Sequence, residues 1–154
     1  MAPGGVSDGR RIHSALFVCA HNAIRSPMAE ALAKRLYGNT AFLDSVGVHA
    51  SELDSFAAAA LDELGIDLYA HRGKSFDDVD STSFDLIVTL SPEAHHSALE
   101  FTRSAATDVE YWPIPDPSAV EGSRDARLDA YRRTRDMILA RLKSRFGTPG
   151  GPTL

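Results

Sequence analysis

A short apolar run that ends at a cysteine and leads directly into a helical pattern constrains the fold of this chain more than any other feature. The run covers residues 16–19, and Met28, Leu32 and Leu36 then recur at the spacing of one helix face. A strand joined to a helix by a loop of a few residues is typical of the opening of a βαβ unit. The chain is therefore expected to build a parallel sheet, with Cys19, its only cysteine, at the end of a strand.

Strands and helices are predicted to alternate along the rest of the chain. Apolar runs predict strands at 12–19, 41–46, 85–90 and 109–112, and apolar periodicity predicts helices at 27–38, 56–65, from 91 onward and at 128–146. This order predicts an α/β fold with a parallel sheet that helices cover on both faces. Ligands of such sheets bind beyond the carboxyl ends of the strands, where the loop after Cys19 begins.

The length of 154 residues suits one domain, expected at residues 11–146, and the polar, glycine-rich segments 1–10 and 147–154 are predicted to be flexible tails. A net charge of −5 gives no support for nucleic acid as a partner. No stretch is apolar enough to span a bilayer, and the N-terminus lacks the apolar core of a signal peptide. One cysteine forms no internal disulfide, and thiol chemistry suits a reducing compartment, so a cytoplasmic location without membrane contact is expected.

The loop between Cys19 and the helix is predicted to bind a tetrahedral oxyanion. Ser26 is a favoured N-cap residue, and Pro27 fits the first helical turn because it has no N–H group to satisfy. The N–H groups at a helix N-terminus and the positive end of the helix dipole then point at one spot. Asn22 tolerates the left-handed backbone that a tight loop often needs. The predicted phosphate-binding residues are Ala20, His21, Asn22, Ala23, Ile24, Arg25 and Ser26.

Cys19 and Arg25 would supply the reactive groups of this loop. The helix N-terminus and the Arg25 guanidinium favour the thiolate form of Cys19, which makes it the candidate nucleophile. Arg25 is planar and always charged, so it can bind two oxygens of one phosphate. Alone, Cys19 would be interpreted as a buried core residue and Arg25 as an ordinary helix-end arginine. Their spacing between a strand and a helix favours the oxyanion site.

Asp116 is the candidate acid and base of the reaction. It lies between Pro115 and Pro117 just after the fourth predicted strand, and the prolines would fix the direction of its carboxylate. Such a group can protonate a leaving oxygen and later accept a proton from the attacking water. Asp-Pro pairs also start ordinary turns, so the pattern alone leaves both interpretations open. This chemistry needs no cofactor, and the six histidines show no metal-ligand spacing.

The stretch Val18-Cys19-x5-Arg25-Ser26-Pro27-Met28-Ala29-Glu30 resembles the signature of the low-molecular-weight protein tyrosine phosphatases. It equally resembles their close relatives, the thiol-coupled arsenate reductases. The resemblance extends from about residue 13 to residue 146. It implies a four-stranded parallel sheet in the order 2-1-3-4, an order that periodicity alone does not show.

The resemblance also implies roles for individual residues. Both groups carry an Asp-Pro loop at the position of Asp116, and in the phosphatases this aspartate is the general acid. The serine that follows the loop arginine, here Ser26, hydrogen-bonds the thiolate in the phosphatases. A serine of a Ser-Ala-Gly segment steadies the loop asparagine. The corresponding segment here is Ser-Val-Gly, so Ser45 would hold Asn22.

Two single positions and one short segment depart from the phosphatase pattern. His21 stands where the phosphatases usually have glycine, and Ile24 stands where many have a second cysteine. Residues 118–120, Ser-Ala-Val, replace the aromatic side chains that phosphotyrosine-specific members place after Asp-Pro. The Cys-x-His-Asn form of the loop leans toward the reductases. The reductases that rely on internal thiols, however, need further cysteines, which this chain lacks.

Three functions follow as hypotheses. The leading one is a phosphomonoesterase that acts through a phosphocysteine. The second is an arsenate reductase in which an external small thiol resolves the Cys19 adduct, since arsenate and phosphate are nearly isosteric. The third is a non-catalytic oxyanion-binding regulatory protein, against which the presence of Cys19, Arg25 and Asp116 argues. The expected ligand in every case is a phosphate ester or a related oxyanion, and the oligomeric state is not indicated.

Overall fold

A computed structural model describes residues 12–103 and 106–149. Four strands form one sheet in the spatial order β2-β1-β3-β4, and all three pairs are parallel. The strands are β1 (Ser14–Cys19), β2 (Phe42–Gly47), β3 (Leu86–Thr89) and β4 (Asp108–Tyr111). This is the predicted fold class and the order that the resemblance implied, and both are confirmed.

Helices cover both faces of the sheet. The four helices are α1 (Arg25–Tyr37), α2 (Ser55–Asp62), α3 (Pro92–Phe101) and α4 (Arg124–Phe146). Helices α1, α2 and α4 pack with one another on one face, and α3 packs on the other against β1, β3 and β4. The segments between them include single 3-10 turns at Phe76–Asp78, Ser81–Ser83 and Pro117–Ala119.

The central strand β1 explains this three-layer arrangement. Because successive side chains of a strand point to opposite faces, Ala15 and Phe17 enter the core beneath α1, α2 and α4, and Leu16 and Val18 enter the core beneath α3. All six residues of β1 are buried, as expected for a strand covered on both faces. Cys19, the last residue of β1, continues the alternation on the side of α1.

Side-chain caps start three of the helices. Asp54 accepts hydrogen bonds from backbone N–H groups of α2, Ser91 does so for α3, and Ser123 does so for α4. Because Ser123 caps it, α4 begins at Arg124, four residues before the predicted start. The predicted start of a helix at residue 91 is confirmed, with Ser91 as the N-cap and Pro92 as the first helical residue.

Ser26 does not cap α1, and this prediction is wrong. The helix begins at Arg25, the N-cap position is Ile24, and the helix has no side-chain cap. Ser26 lies in the first turn, where its hydroxyl is engaged with Cys19 and Asn22. The predicted tail at residues 1–10 lies outside the described residues, as do residues 150–154 of the other predicted tail. Within residues 12–103 and 106–149, no helix has the length and apolar character to cross a membrane.

Candidate active site

The loop of residues 20–24 leaves the carboxyl end of β1 and runs directly into α1. Three carbonyl groups in or next to this loop accept hydrogen bonds from the segment that follows β2. Val48 N–H donates to Cys19 O (3.0 Å), His49 N–H donates to Ala20 O (2.8 Å), and Asp54 N–H donates to Ala23 O (3.0 Å). By contrast, the backbone N–H groups of residues 20–25 donate no hydrogen bond to another described residue. A loop with tethered carbonyls and unpaired N–H groups is the arrangement that binds an oxyanion.

Asn22 gives the loop its sharp turn. Its backbone is left-handed, with a φ of 53°, and it is the one non-glycine residue in the described part of the chain with a positive φ. Its side chain is completely buried beneath the loop. Nδ2 donates to Ser26 Oγ (2.9 Å) and to Ser45 Oγ (3.0 Å), while Oδ1 accepts from Lys74 N–H (2.9 Å). The predicted contact between Ser45 and Asn22 is therefore present.

The Cys19 sulfur lies at the floor of the loop. The side chain is only 2% exposed, and Sγ shares a hydrogen bond of 2.8 Å with Ser26 Oγ. Ser26 N–H also donates to Sγ across 3.4 Å. The Ser26 hydroxyl has one proton and a second acceptor, Val46 O at 3.2 Å. It can therefore turn its proton toward the sulfur when the sulfur carries negative charge.

The Arg25 side chain is held by backbone carbonyls that follow strands β3 and β4. Its Nη1 donates to Ile114 O (2.9 Å), just after β4, and lies 3.5 Å from Leu90 O at the end of β3. Both acceptors are backbone carbonyls, so neither contact pairs the guanidinium with a carboxylate. It stands beside the Cys19 loop with its charge available to an anion.

Asp116 enters the site from the segment after β4. Its Oδ1 accepts hydrogen bonds from Ser118 N–H (2.9 Å) and Ser118 Oγ (2.7 Å). Burial alone, the largest influence, would raise the pKa of Asp116. The hydrogen bonds from Ser118 and the positive charges of Arg25 and His21 outweigh it and hold the pKa below the usual range of an aspartate.

One cavity of about 290 Å³ brings the predicted reactive groups together. Its lining consists of Cys19, His21, Ala23, Ile24, Arg25, Ser51, Glu52, Asp54, Asp116 and Ser118. Among the residues that the structure describes, no aromatic ring other than the His21 imidazole lines it. The lining does not include Ala20, Asn22, Ser26 or Ser45. The buried side chains of Asn22, Ser26 and Ser45 instead support the floor of the cavity from below. Within the described ranges, no cluster of three or more His, Cys, Asp or Glu residues could hold a metal ion.

The family known as low molecular weight phosphotyrosine protein phosphatase matches residues 14–147, nearly the whole of this chain. The chain belongs to this family. An arsenate reductase of Bacillus subtilis is 32% identical over 127 residues, which are 82% of this chain and 90% of that protein. These matches support a cysteine-based phosphatase or arsenate reductase activity.

Solved structures agree with this assignment. An arsenate reductase of Archaeoglobus fulgidus has a TM-score of 0.68 and 30% identity, with coverage of 86% of this chain and 98% of that chain. A low molecular weight protein tyrosine phosphatase of T. tengcongensis has a TM-score of 0.71 and 26% identity, with coverage of 86% and 96%. Both kinds of protein are thus similar to this phosphatase-family chain over nearly its whole length.

Sequence reasoning missed a second layer of this phosphatase-family site. Glu30 Oε1 accepts a hydrogen bond of 2.5 Å from Ser45 Oγ, and Lys34 Nζ pairs with Glu30 Oε2 at 2.5 Å. His71 Nε2 lies 3.1 Å from Asn22 Oδ1 and 3.3 Å from Asn22 O. Since both of those atoms are acceptors, Nε2 carries the proton.

The charge state of His71 follows from its surroundings. Its side chain is 8% exposed, and Nδ1 lies 4.0 Å from Glu30 Oε1. Burial lowers the pKa of His71 below that of a free histidine, and the Glu30 carboxylate opposes this effect only in part. A neutral ring with its proton on Nε2 therefore braces Asn22. The sequence gave no sign of this contact, which joins positions 49 residues apart.

Proposed function

We propose that this chain is a phosphomonoesterase that works through a phosphocysteine intermediate. The observation that carries the proposal is that Cys19, Arg25 and Asp116 line one cavity, at the mouth of a loop whose N–H groups have no acceptor in the described residues. In this reaction Cys19 is the nucleophile, Arg25 binds the phosphate oxygens, and Asp116 transfers the proton.

In the first step the Cys19 thiolate attacks phosphorus. The negative charge of the bound ester offsets the Arg25 charge that lowers the pKa of Asp116, so Asp116 holds a proton in the complex. A sulfur–phosphorus bond then forms, the bond from phosphorus to the ester oxygen breaks, and Asp116 donates its proton to that oxygen. Arg25 and the loop N–H groups bind the three non-bridging oxygens, on which negative charge is concentrated in the transition state. The Ser26 hydroxyl stabilises the sulfur before the attack.

In the second step water attacks the phosphocysteine. Asp116, now a carboxylate, accepts a proton from the water, the sulfur–phosphorus bond breaks, and inorganic phosphate leaves. The sulfur departs as a thiolate, which Ser26 again stabilises. The same carboxyl group therefore serves as acid in one step and as base in the next, and the protonation state of Asp116 is restored.

A second candidate function is the reduction of arsenate by an external small thiol. The support for this function is that two relatives, 30% and 32% identical over about four-fifths of this chain, are named arsenate reductases. Cys19 would form an adduct with arsenate, and an external thiol would attack the Cys19 sulfur and release arsenite. A further thiol molecule would then reduce the mixed disulfide. Two electrons come from the two thiols, which balances the reduction of As(V) to As(III).

The two functions are tested on one preparation of the full chain. The first assay measures hydrolysis of p-nitrophenyl phosphate, and the second measures arsenite formed with thioredoxin, glutathione or mycothiol systems. The Cys19→Ser variant is the control in both assays, since it should abolish turnover and retain oxyanion binding.

The outcomes separate the hypotheses. Phosphatase turnover that depends on Cys19 supports the proposal, and thiol-dependent arsenite formation without ester hydrolysis replaces it by the second function. Oxyanion binding without turnover of either substrate contradicts both and supports a regulatory binding protein.

A further inference from the structure

The residue after the Asp-Pro pair, Ser118, makes an unusually specific contact with the candidate acid. Its backbone N–H and its hydroxyl both donate to the same oxygen, Asp116 Oδ1, at 2.9 and 2.7 Å. Asp116 is also the N-cap of the 3-10 turn Pro117–Ala119, so the carboxylate is held by the backbone that follows it. Two donors on one oxygen restrain the rotation of the whole carboxyl group.

This contact distinguishes the two oxygens of Asp116. An oxygen that already accepts two hydrogen bonds is a poor site for a proton, so the acidic proton belongs on Oδ2. Oδ2 is then the oxygen that gives a proton to the leaving group and takes one from water. The hydroxyl of Ser118 favours the ionised form of Asp116, in agreement with its lowered pKa.

Other groups also face this carboxylate and contribute to its charge state. Arg25 of α1 and His21 of the Cys19 loop act on it as positive charges. Tyr131 of α4 is close enough to feel the charge of Asp116, but burial raises the pKa of its phenol, so it stays neutral in the working range. The carboxyl groups of Glu52 and Asp54 line the same cavity. Ser118 is the neighbour that binds one chosen oxygen of Asp116 directly.

We propose that Ser118 is a positioning residue, which binds Asp116 through Oδ1 and leaves Oδ2 to transfer the proton. The proposal rests on the proposed phosphomonoesterase function and adds to it a residue at a position where phosphotyrosine-specific relatives are expected to carry an aromatic ring. A polar side chain thus borders the leaving group here, and its task is to orient the acid rather than to hold a phenyl ring.

Three variants of the full chain test the proposal. Ser118→Ala removes the hydroxyl, Ser118→Thr keeps it, and Ser123→Ala removes a serine of the same kind that caps α4 through Ala126 N–H outside the cavity. Values of kcat/KM are measured against pH for phenyl phosphate, which has a poor leaving group, and for p-nitrophenyl phosphate, which needs little protonation.

Ser118→Ala should lower kcat/KM at the optimal pH about 10-fold for phenyl phosphate, less than the loss on complete removal of an acid, and about 3-fold or less for p-nitrophenyl phosphate. The basic limb of its phenyl phosphate profile should move to higher pH, because the acid stays protonated longer without the hydroxyl. Ser118→Thr should restore both features, and Ser123→Ala should match the wild type. An unchanged Ser118→Ala profile, or a threonine variant that behaves like alanine, overturns the proposal.

A second measurement does not depend on turnover. The Asp116 carboxyl carbon is titrated by NMR in labelled wild type and Ser118→Ala. A higher midpoint in the variant supports the hydrogen bond from Ser118 to Asp116, whether or not the chain hydrolyses an ester. A lack of ester hydrolysis would refute the proposed function but not this hydrogen bond. Equal midpoints refute the role of Ser118 while leaving the proposed function intact.

Discussion

Asn22 and Ser45 are joined by a hydrogen bond of 3.0 Å from Nδ2 to Oγ, although 23 positions separate them in the chain. The bond links the left-handed turn of the Cys19 loop to strand β2. Because Ser45 also donates to Glu30, the turn is connected through β2 to helix α1. The conformation of the loop therefore depends on two neighbouring elements as well as on its own residues.

The roles of Asn22 in backbone geometry and in hydrogen bonding can be separated. Asn22→Gly keeps the φ of 53° at little cost but loses the side-chain bonds, whereas Asn22→Ala loses the bonds and also carries a left-handed penalty of about 1–2 kcal/mol. We expect both variants to lose about 10- to 100-fold in kcat/KM. Urea unfolding should find the alanine variant less stable than the glycine variant by about 1 kcal/mol. Equal stabilities would show that the turn is not strained for other residues.

Asp116→Ala should reveal a dependence on the leaving group. Loss of a positioned general acid costs about 10²- to 10⁴-fold in rate for phenyl phosphate, and much less for p-nitrophenyl phosphate. Steady-state kinetics with both esters measure the difference. Asp125→Ala, at an exposed aspartate in the first turn of α4, is the matched control and should retain wild-type rates. An equal loss on both esters would assign the acid to another residue.

His71 should make the stability of the fold dependent on pH. Its pKa is lowered in the folded state, so the unfolded chain binds a proton more readily once the pH falls below about 6.5. The free energy of unfolding is therefore at its plateau above that pH and declines as the solution is acidified. Urea unfolding from pH 8 to 5 measures this slope.

His71→Asn should flatten the slope and cost about 1–3 kcal/mol at pH 7, because a buried hydrogen bond to Asn22 is lost. His96→Asn, at an exposed histidine of α3, is the control and should keep the wild-type slope. A His71→Asn variant with the wild-type slope would show that another group is responsible.

Peroxide should inactivate the chain without an internal disulfide. Cys19 is the only cysteine, so its sulfenic acid has no internal thiol partner and proceeds to the irreversible sulfinic acid unless an external thiol arrives first. Bound phosphate should slow the loss of activity because it occupies the loop. Intact mass measured over time, with and without phosphate and glutathione, follows each species. Full recovery of activity by glutathione added long after peroxide would contradict this expectation.

The sequence predicted the strand–loop–helix unit well because its signals are local. The apolar run of β1, the spacing of Met28, Leu32 and Leu36, and the left-handed tendency of Asn22 each depend on residues close in the chain. Local rules also produced the error at Ser26, since a serine before a proline is a frequent N-cap. Its hydroxyl instead binds Cys19, a partner seven positions away that capping rules do not consider.

The supporting layer could not be predicted in this way. From the sequence, Glu30 would be taken for an ordinary charged residue on the surface of a helix. In the structure it is only 9% exposed and accepts a hydrogen bond from Ser45 of β2. His71 comes from a polar segment with no periodic pattern. Contacts of this kind depend on how distant segments meet over the sheet, and one sequence does not contain that information. The start of α4 was missed for a different reason, because its exposed first turn carries no apolar periodicity.

The attachment of Arg25 to Ile114 O and Leu90 O has a consequence for the kinetics of anion capture. An arginine that becomes ordered only on binding loses about 0.5–1.5 kcal/mol of affinity to side-chain entropy. Here much of that ordering is complete when the sheet folds, so the encounter needs little rearrangement of the guanidinium. Association with inorganic phosphate should therefore follow a single fast phase whose rate constant rises in proportion to phosphate concentration. Differences in affinity among oxyanions should therefore come from differences in their dissociation rate constants.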